Sequence, residues 1–469
     1  MSIYESLKAV VRFVLRMDIP LLILVTCLFS FSIYAIHFIG GEAGGPFEAY
    51  AKKQFLWVCV GFGLMLAIAY VDYEWIGVNS WVFYVFGLLL LTAVLIPGIG
   101  KEINGARSWI SMPGFTIQPS EIAKPCTLVA LAWYASRPRV LLNEFTKLIP
   151  VVLMAGGPVV LIGLQPDFGS ALVFIPLTAV VLFVAGCKRR YLTYPILMAV
   201  ILTPIMYFAL QPHQKKRIDV FIHPVVQPLS VKYSQKKALE AGLAEEKYER
   251  IEKMSNPWFY TKTEIAHLQG VLSTEKDRQA FEKGEINKEE FAALCEKEYK
   301  KRRRSYRTIN TFNVNEGWQG HQSLLAVASG GWSGKGFGNG TQIKLGFLPK
   351  SISTTDCLFS VICEEGGFVW AVIVLMLLLG VILCSVRTAC VARDLYGKVL
   401  SLSIGMLFLC HVYINVGMAI GIAPIIGIPL PFLSYGGSFV ISTMVCVGLL
   451  QNIYIRREVT ASEERLAGM

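Results

Sequence analysis

The chain has 469 residues, of which 54% are hydrophobic and only 16% are charged, and its mean hydropathy is +0.52. This composition is too apolar for a soluble protein of ordinary balance and indicates a lipid bilayer as the solvent. The formal net charge is +11, but the basic residues are dispersed among apolar segments, which argues against nucleic-acid binding. The cysteines include no Cys-x-x-Cys pair, so the sequence indicates neither a zinc site nor a disulfide framework.

Ten apolar windows have about the length, roughly 20 residues, that a membrane-spanning helix needs. The first window lacks a signal-peptide cleavage site and is longer than a signal-peptide core, so we expect it to be retained. Together the windows predict an all-α membrane protein with ten transmembrane helices, at residues 19–39, 54–71, 78–97, 120–135, 148–165, 168–186, 191–210, 357–386, 398–422 and 430–454.

The distribution of basic residues predicts the orientation of these helices, because short cytoplasmic loops collect Lys and Arg. If the N-terminus is cytoplasmic, the only basic residues in the short outer loops are Lys52, Lys53, Lys101 and Arg107. We therefore expect both termini to be cytoplasmic. Every inner segment except 72–77 is then basic, through Lys8, Arg12, Arg16, Arg137, Arg139, Lys147, Lys188, Arg189, Arg190, Arg387, Arg393, Lys398, Arg456 and Arg457.

Two outer segments separate the apolar windows. The Gly/Pro-rich segment 98–119 contains Trp109 and Phe115, which is typical of an interfacial loop with aromatic anchors. The large extracytoplasmic loop between helices 7 and 8 contains a charged insert at about 230–307. Opposite charges at i,i+4 spacing predict short solvated helices there, in either a linker or a partner-docking module. The predicted organisation is helices 1–7 in residues 1–210, the loop in 211–354, helices 8–10 in 355–456, and a cytoplasmic tail in 457–469.

Ionisable residues in apolar windows are candidates for function, because burying them in a bilayer costs free energy. Glu121 and Lys124 are three residues apart in the stretch from Gln118 to Lys124, so they share one face of a helix. Two interpretations are open. The residues form an ion pair that neutralises itself and fastens two helices, or they line a polar cavity where Lys124 faces a phosphate.

Two aspartates precede apolar windows: Asp167, after Gln165-Pro166, and Asp356, after Thr354-Thr355. Each could be an N-cap of the following helix. The alternatives are that Asp167 forms a wall of the same cavity and that Asp356 is a general base at the outer edge of the membrane.

Two further features lie close to the end of the long loop: a pair of glutamates after it and a glycine-rich segment within it. Glu364 and Glu365 lie within the eighth window, where they could tune Asp356 electrostatically or pair with a cation on another helix. The glycine-rich segment from Gly330 to Gln342 contains Lys335, and its backbone N–H groups could cradle diphosphate oxygens. It lacks the spacing of a P-loop, and flexible loops are commonly rich in glycine.

Taken in order, these motifs resemble the SEDS family (shape, elongation, division and sporulation). Their order and spacing cover nearly the whole chain outside the charged insert, and the Gln-Pro-Asp and Ile-Pro-Leu-Pro motifs are similar to the elongation branch of the family rather than the division branch. The matching stretches are Gly105-Ala106-Arg107-Ser108-Trp109, Gln118 to Lys124, Gln165 to Gly169, Gly334 to Gln342, Phe347-Leu348-Pro349, Thr355-Asp356, and Ile428 to Ser438, which includes Ser434.

The resemblance implies a peptidoglycan glycosyltransferase in the bacterial cytoplasmic (inner) membrane, with lipid II as substrate. It also implies a class B penicillin-binding protein and other elongation-complex proteins as partners. Asp356 is the counterpart of the essential aspartate of the family, and Glu121 and Lys124 are counterparts of residues in its central cavity. The chain departs from the family pattern at Thr354, where a histidine is usual, at Lys350, where an acidic residue is common, and in its charged insert.

The mechanism expected from this resemblance is an inverting transfer. Asp356 would remove the proton from the 4-hydroxyl of the acceptor lipid II as that oxygen attacks the anomeric carbon of the donor, and polyprenyl diphosphate would leave. Arg107, Lys124, Arg217 or a divalent cation such as Mg or Mn would supply the counter-charge. A lipid II flippase remains an alternative, because a polar cavity in a helical bundle also suits transport, and so does a non-catalytic scaffold of the elongation machinery.

Overall fold

The structure is a computed structural model that describes residues 13–39, 46–103, 106–112, 115–137, 144–191, 193, 315–344, 348, 350–424 and 426–457. The chain divides into two compact units, one comprising Met1–Leu210 with Gly320–Met469 and the other Gln211–Gln319. Nearly all the described residues belong to the first unit. The predicted charged insert, 230–307, lies outside the described residues.

The described residues form a mostly helical protein with one small sheet. Helices suit a bilayer because each one satisfies its backbone hydrogen bonds internally. The elements are α1 (Ile19–Phe38), α2 (Pro46–Tyr70), α3 (Tyr73–Val78), α4 (Ser80–Leu95), β1 (Gly100–Ile103), β2 (Ala106–Met112), β3 (Phe115–Ile117), α5 (Pro119–Ala135), α6 (Phe145–Leu164), α7 (Phe168–Leu172), α8 (Phe174–Val184), α9 (Asn315–Ser329), α10 (Thr341–Lys344), α11 (Lys350–Ser353), α12 (Leu358–Val391), α13 (Leu395–Ala419) and α14 (Gly437–Ile455).

Nine of the ten predicted windows coincide with helices, and window 191–210 lies almost entirely outside the described residues. By length and composition, six described helices can cross a membrane, namely α1, α2, α6, α12, α13 and α14. The prediction of ten spans is therefore not confirmed, although a multi-pass helical membrane protein is. The shorter helices α4, of 16 residues, and α5, of 17 residues, fall below the length of a typical span, and window 168–186 is divided into α7 and α8.

The prediction of an all-α fold is wrong for residues 100–117. Strands β1, β2 and β3 form an antiparallel sheet in that order, with Ile103 paired with Ala106 and Ile110 paired with Ile117. The two residues between β1 and β2 are Asn-Gly, which is the most favoured pair for a two-residue hairpin turn. The glycines and prolines of segment 98–119 indicated a loop, whereas its β-branched and aromatic residues favour strands.

Several helix ends that carry basic residues lie close together. Arg387 near the end of α12 forms an ion pair with Asp18, the N-cap of α1. Arg456, which follows α14, donates a hydrogen bond to the backbone oxygen of Ala69 at the end of α2 (3.2 Å). The basic residues around α1, α12 and α14 therefore meet at one end of the bundle, and the start of α12 lies at the other.

Helix α12 has a buried first part and an exposed second part. It has 34 residues, and residues Leu358–Gly367 are all buried, whereas Phe368 is 56% exposed. The remainder, Phe368–Val391, has a length of about 36 Å, enough to cross the hydrocarbon by itself. Glu364 and Glu365 therefore lie in the protein-enclosed part of α12 rather than facing lipid.

Candidate active site

Asp356 lies in a turn directly before α12 and is partly exposed. The N-cap of α12 is Cys357, so the alternative that Asp356 caps this helix is wrong. The backbone oxygen of Asp356 accepts a hydrogen bond from Nδ2 of Asn415 (2.9 Å), which also donates to the backbone oxygen of Ile428 (2.7 Å). Asn415 on α13 therefore holds the turn that carries the candidate base.

The carboxylate of Asp356 faces Gly427. A Cβ atom placed on Gly427 would lie 3.3 Å from Oδ2 of Asp356, and the φ of Gly427 is +75°. Side-chain-bearing residues rarely adopt this backbone conformation. The backbone conformation therefore favours glycine here, and a side chain at this position would also press against the carboxylate of Asp356.

The non-helical segment before α14 clamps the same turn. Oγ of Ser434 donates a hydrogen bond to the backbone oxygen of Thr355 (2.6 Å) and accepts one from the backbone N–H of Leu430 (2.8 Å). The N–H of Tyr435 donates to the backbone oxygen of Thr354 (2.8 Å). Ser434 is only 1% exposed, so it positions the Asp356 turn from within. The predicted window 430–454 is wrong at its start, because two prolines and a Gly-Gly pair delay the helix until residue 437.

The first turns of α14 contact the start of α5. Oγ of Ser438 accepts a hydrogen bond from the N–H of Gln118 (3.2 Å), and one turn later Oγ of Ser442 donates to the backbone oxygen of Glu121 (2.7 Å). Residues from Ser434 to Ser442 therefore connect the Asp356 turn to the Glu121–Lys124 motif.

Lys124 forms a buried cluster with Glu121 and His411. Its Nζ lies 2.7 Å from Oε1 of Glu121 and 3.1 Å from Nε2 of His411, and the three residues are 1%, 3% and 2% exposed. Nδ1 of His411 lies 2.8 Å from the backbone oxygen of Leu407. Donation from Nδ1 leaves Nε2 as an acceptor for the ammonium group. The cluster fastens α5 to α13, as the ion-pair interpretation predicts, and it encloses the ammonium group of Lys124.

His411 and Asn415 are functional candidates that the sequence analysis missed. They lie four residues apart, so one face of α13 presents His411 to the lysine cluster and Asn415 to the Asp356 turn. A signal was present, because both are polar residues inside the apolar window 398–422.

The remaining candidates occupy different positions. Asp167 is the N-cap of α7, where Oδ1 accepts from the N–H of Ser170 (3.2 Å), and its Oδ2 also accepts from Nε2 of Gln118 (3.3 Å). Arg107 is half-buried in β2 opposite Glu102. Arg217 lies outside the described residues. Among the residues described, no group of three or more His, Cys, Asp or Glu side chains could hold a metal ion, and the divalent cation stays an expectation.

The glycine-rich segment 330–342 contacts α12 where the helix is interrupted. Gly367 has a φ of +73° and a ψ of −171°, which breaks the helical hydrogen-bond ladder. The N–H of Phe368 donates instead to the backbone oxygen of Gly331 (2.9 Å), and the N–H of Val369 donates to that of Trp332 (3.2 Å). Backbone oxygens of the glycine-rich segment therefore accept the hydrogen bonds that helix oxygens would otherwise accept.

The exchange of hydrogen bonds is reciprocal. The backbone oxygens of Glu364 and Glu365, freed by the interruption, accept from the N–H groups of Lys335 (3.0 Å) and Gly336 (2.9 Å). Gly334 makes this approach possible, since a Cβ atom there would lie 2.1 Å from the backbone oxygen of Glu365.

The two glutamate carboxylates bind the N–H groups of the same segment. Glu365 accepts from the N–H groups of Gly338 (3.1 Å) and Gly340 (3.2 Å). These amides cradle an anion of the protein itself, so the expectation that they cradle diphosphate is wrong for the conformation observed.

Glu364 is held more tightly still. Its Oε1 accepts from the N–H groups of Thr341 (2.8 Å) and Gln342 (3.2 Å), and it forms an ion pair with Nζ of Lys335 (2.6 Å). Glu364 is fully buried, whereas the Lys335 side chain is 27% exposed. Of the two earlier interpretations, pairing with a cation is the one observed, although the cation belongs to the glycine-rich segment and not to a helix.

Comparisons with known proteins place these features in a family. The FtsW/RodA/SpoVE model, described as a cell cycle protein, matches residues 14–242 and 289–459. The chain belongs to this family. The peptidoglycan glycosyltransferase RodA of Treponema pallidum (strain Nichols) is 31% identical to this FtsW/RodA/SpoVE protein over 95% of the chain and 99% of the relative. A probable peptidoglycan glycosyltransferase FtsW of Geobacter sp. (strain M18) is 28% identical over 87% of each chain.

Two solved structures share the fold of this FtsW/RodA/SpoVE protein. One, reported as "Structural coordination of polymerization and crosslinking by a peptidoglycan synthase complex", has a TM-score of 0.64 and 22% identity, covering 93% of this chain and 97% of that one. The rod shape determining protein RodA of Thermus thermophilus has a TM-score of 0.56 and 21% identity, covering 95% and 98%.

The contacts of Glu364 predict a local effect on the glycine-rich segment. Glu364→Gln removes the charge with little change in shape, and hydrogen bonds to charged groups are roughly 1 kcal/mol stronger than neutral ones. We expect amide hydrogen exchange in a peptide covering residues 338–344 to accelerate roughly fivefold to tenfold, measured by mass spectrometry. Lys344→Met, which removes an exposed hydrogen bond to Asn339, is the matched control and should change exchange less than about twofold. Equal acceleration of amide exchange in the two variants would contradict the role of Glu364 in holding the glycine-rich segment.

The contact between Lys124 and His411 predicts energetic coupling between α5 and α13. His411→Leu leaves an ammonium proton of Lys124 without its acceptor, which costs about 1–3 kcal/mol of unfolding free energy. In a Lys124→Met background the same substitution should cost at least about 1 kcal/mol less. Unfolding of the purified protein in detergent measures this cycle. A parallel cycle with Tyr413→Phe, at a position 65% exposed on the same helix, should show no coupling energy with Lys124→Met. A coupling energy for His411 as small as that of Tyr413 would refute the contact.

Proposed function

We propose that this chain is a peptidoglycan glycosyltransferase that polymerises lipid II on the outer face of the bacterial inner membrane, with Asp356 as the general base. The observation that carries the proposal is the partly exposed carboxylate of Asp356 at the start of α12. A polyprenyl-linked sugar places its reactive groups at the boundary between membrane and water, because its lipid lies in the hydrocarbon and its sugars lie in water.

In this mechanism Asp356 accepts the proton of the acceptor 4-hydroxyl as the oxygen bonds to the anomeric carbon of the donor. The bond from that carbon to polyprenyl diphosphate breaks, with inversion. General-base catalysis typically supplies about 10²–10⁴-fold in rate, provided that the base is held in place. Asn415 and Ser434 supply that support through the backbone of the Asp356 turn.

The diphosphate leaving group needs positive charge nearby. Lys124 is already neutralised by Glu121 and enclosed, so its use requires separation of α5 from α13. Arg107 is half-buried in β2 and is accessible without that movement. Arg217 and a divalent cation are further candidates for the same role.

The relatives also indicate partners and a cellular role. One similar structure is reported as a complex for polymerisation and crosslinking, which supports a class B penicillin-binding protein as the partner that crosslinks the glycan. Relatives named RodA and FtsW have nearly equal identities, 31% and 28%. The assignment to cell elongation therefore depends on the Gln-Pro-Asp and Ile-Pro-Leu-Pro motifs. The basic end of the bundle supports a cytoplasmic position for both termini, because cytoplasmic segments collect Lys and Arg.

Removing the candidate base tests the proposal directly. Asp356→Asn keeps the size of the side chain but cannot accept the proton, so we expect polymer formation to fall by at least about 10²-fold. The assay uses purified lipid II, the chain in membranes and its cognate transpeptidase, with thermal unfolding as the measure of folding. Glu74→Gln, which removes an exposed carboxylate at the basic end of the bundle, is the matched control and should retain activity.

The alternative functions give different outcomes in the same experiment. Retained polymerisation by the Asp356→Asn variant would refute the assignment of the base. If the wild-type chain moves lipid II across vesicles and forms no polymer with its partner, it is a flippase. If it does neither, it is a scaffold.

A further inference from the structure

One face of α2 packs against the non-helical segment before α14. The ring of Tyr50 contacts that of Tyr435 edge-on, with the ring centroids 5.0 Å apart. Farther along α2, Trp57 leaves no room for a side chain at Gly437, where a Cβ atom would lie 2.5 Å from Cε2 of the indole ring. Gln54 lies between these two contacts and shares their face of the helix, because it follows Tyr50 by four positions and precedes Trp57 by three.

Gln54 is fully buried, and both groups of its amide have partners. Nε2 donates to the backbone oxygen of Ser434 (3.3 Å) and to Oγ of Ser32 (3.4 Å), and Oε1 accepts from the N–H of Gly436 (3.4 Å). A carbonyl oxygen faces Nε2 and an N–H faces Oε1, so exchanging the two ends of the amide would break both contacts. The partners therefore fix the orientation of the Gln54 amide.

Ser32 on α1 extends this network. Its Oγ accepts from Nε2 of Gln54 and donates its only proton to the backbone oxygen of Leu433 (2.5 Å). Ser32 is also fully buried. Side chains of α1 and α2 therefore bind two successive backbone oxygens of the segment, those of Leu433 and Ser434, which a helix would have satisfied internally.

The segment that Gln54 binds is the one that holds the Asp356 turn. Through Oγ, Ser434 donates to the backbone oxygen of Thr355, the residue before Asp356. Gln54 binds the backbone oxygen of the same Ser434. Two steps of buried hydrogen bonds therefore connect α2 to the turn that carries the candidate base, and the segment cannot shift without leaving buried polar groups unpaired.

A second buried glutamine provides a comparison. Gln451 is also fully buried, and its amide binds the backbone N–H (2.8 Å) and the backbone oxygen (3.0 Å) of Asp18. It fastens α14 to the start of α1, about 21 Å along α14 from Gly437. Gln451 therefore matches Gln54 in burial and in the backbone groups that it binds, but it lies at the end of the bundle opposite the Asp356 turn.

We infer that Gln54 is a positioning residue for the transfer reaction that Asp356 assists. Its amide holds the segment from Leu433 to Gly436, and this segment holds the backbone of the Asp356 turn. A misplacement of about 1 Å can cost a reaction roughly 10²-fold in rate, so the fully buried Gln54 acts on catalysis through the position of Asp356. This role rests on the proposed glycosyltransferase function.

The kinetics of glycan polymerisation test this role, with the purified full chain, lipid II and the cognate transpeptidase. Gln54→Met keeps the approximate size of the side chain and removes the amide, and we expect it to lower kcat roughly 10-fold to 100-fold with the KM for lipid II unchanged. Gln451→Met makes the same change at the other end of α14. It should retain kcat, although thermal unfolding shows a similar loss of stability.

A milder variant guards against misfolding. Ser32→Ala removes one hydroxyl of the same network and should lower kcat less than Gln54→Met does. Because Ser32 and Gln54 share a hydrogen-bond network, the double variant should lower kcat no further than Gln54→Met alone.

Amide hydrogen exchange measures the same contact without the reaction. In a peptide covering residues 430–437, we expect Gln54→Met to accelerate exchange at least about fivefold and Gln451→Met to accelerate it less than about twofold.

Three results would overturn the inference. The first is equal exchange in the wild-type and Gln54→Met proteins, whatever their activity. The second is an equal fall of kcat in Gln54→Met and Gln451→Met, which would show a general effect of stability. The third is a higher KM with kcat unchanged, which would show an effect on substrate binding. Absence of polymer from the wild-type protein would refute the proposed function and this role together, and the exchange measurement would separate that failure from a failure of the contact.

Discussion

The candidate active site depends on the exchange of backbone hydrogen bonds at Gly367. In a continuous helix the oxygens of Glu364 and Glu365 would accept from Phe368 and Val369, but here both sets of groups bind the glycine-rich segment. A backbone polar group left without a partner in apolar surroundings costs several kcal/mol. The segment cannot leave without exposing four such groups together with two carboxylates. The first turns of α12 are therefore held firmly.

This constraint reaches Asp356, which precedes Glu364 by about two helical turns. The non-helical segment before α14 constrains the turn from another side, because Ser434 is buried and must satisfy its hydroxyl through Thr355 and Leu430. The glycine motif and the serine motif lie far apart in sequence, yet both bind the stretch from Thr355 to Glu365, directly after the long loop. A substitution in either motif can therefore affect the reaction through the position of Asp356, without any contact between that motif and the substrate.

The sequence predicted the elements that depend on local pattern and missed those that depend on tertiary contact. Nine of the ten apolar windows coincide with helices, and the position of Asp167 before one of these windows indicated its capping role. The sheet was missed because its glycines indicated a loop, although strand pairing decides its structure. His411 was overlooked inside an apolar window. The partners of Glu364 could not be predicted, because they lie more than 20 residues away and are selected only by packing.

The two ends of the bundle are joined by helices with different mechanical properties. Both α12 and α14 start beside the Asp356 turn, and Arg387 and Arg456 lie near their other ends. We expect a displacement at the far end of α12 to be absorbed at Gly367, because the helical ladder is broken there. Helix α14 has no such interruption, and Ser438 and Ser442 bind the α5 motif within its first two turns. Any influence of the basic end of the bundle on the outer site would therefore pass through α14, which contacts both the α5 motif and the segment that holds the Asp356 turn.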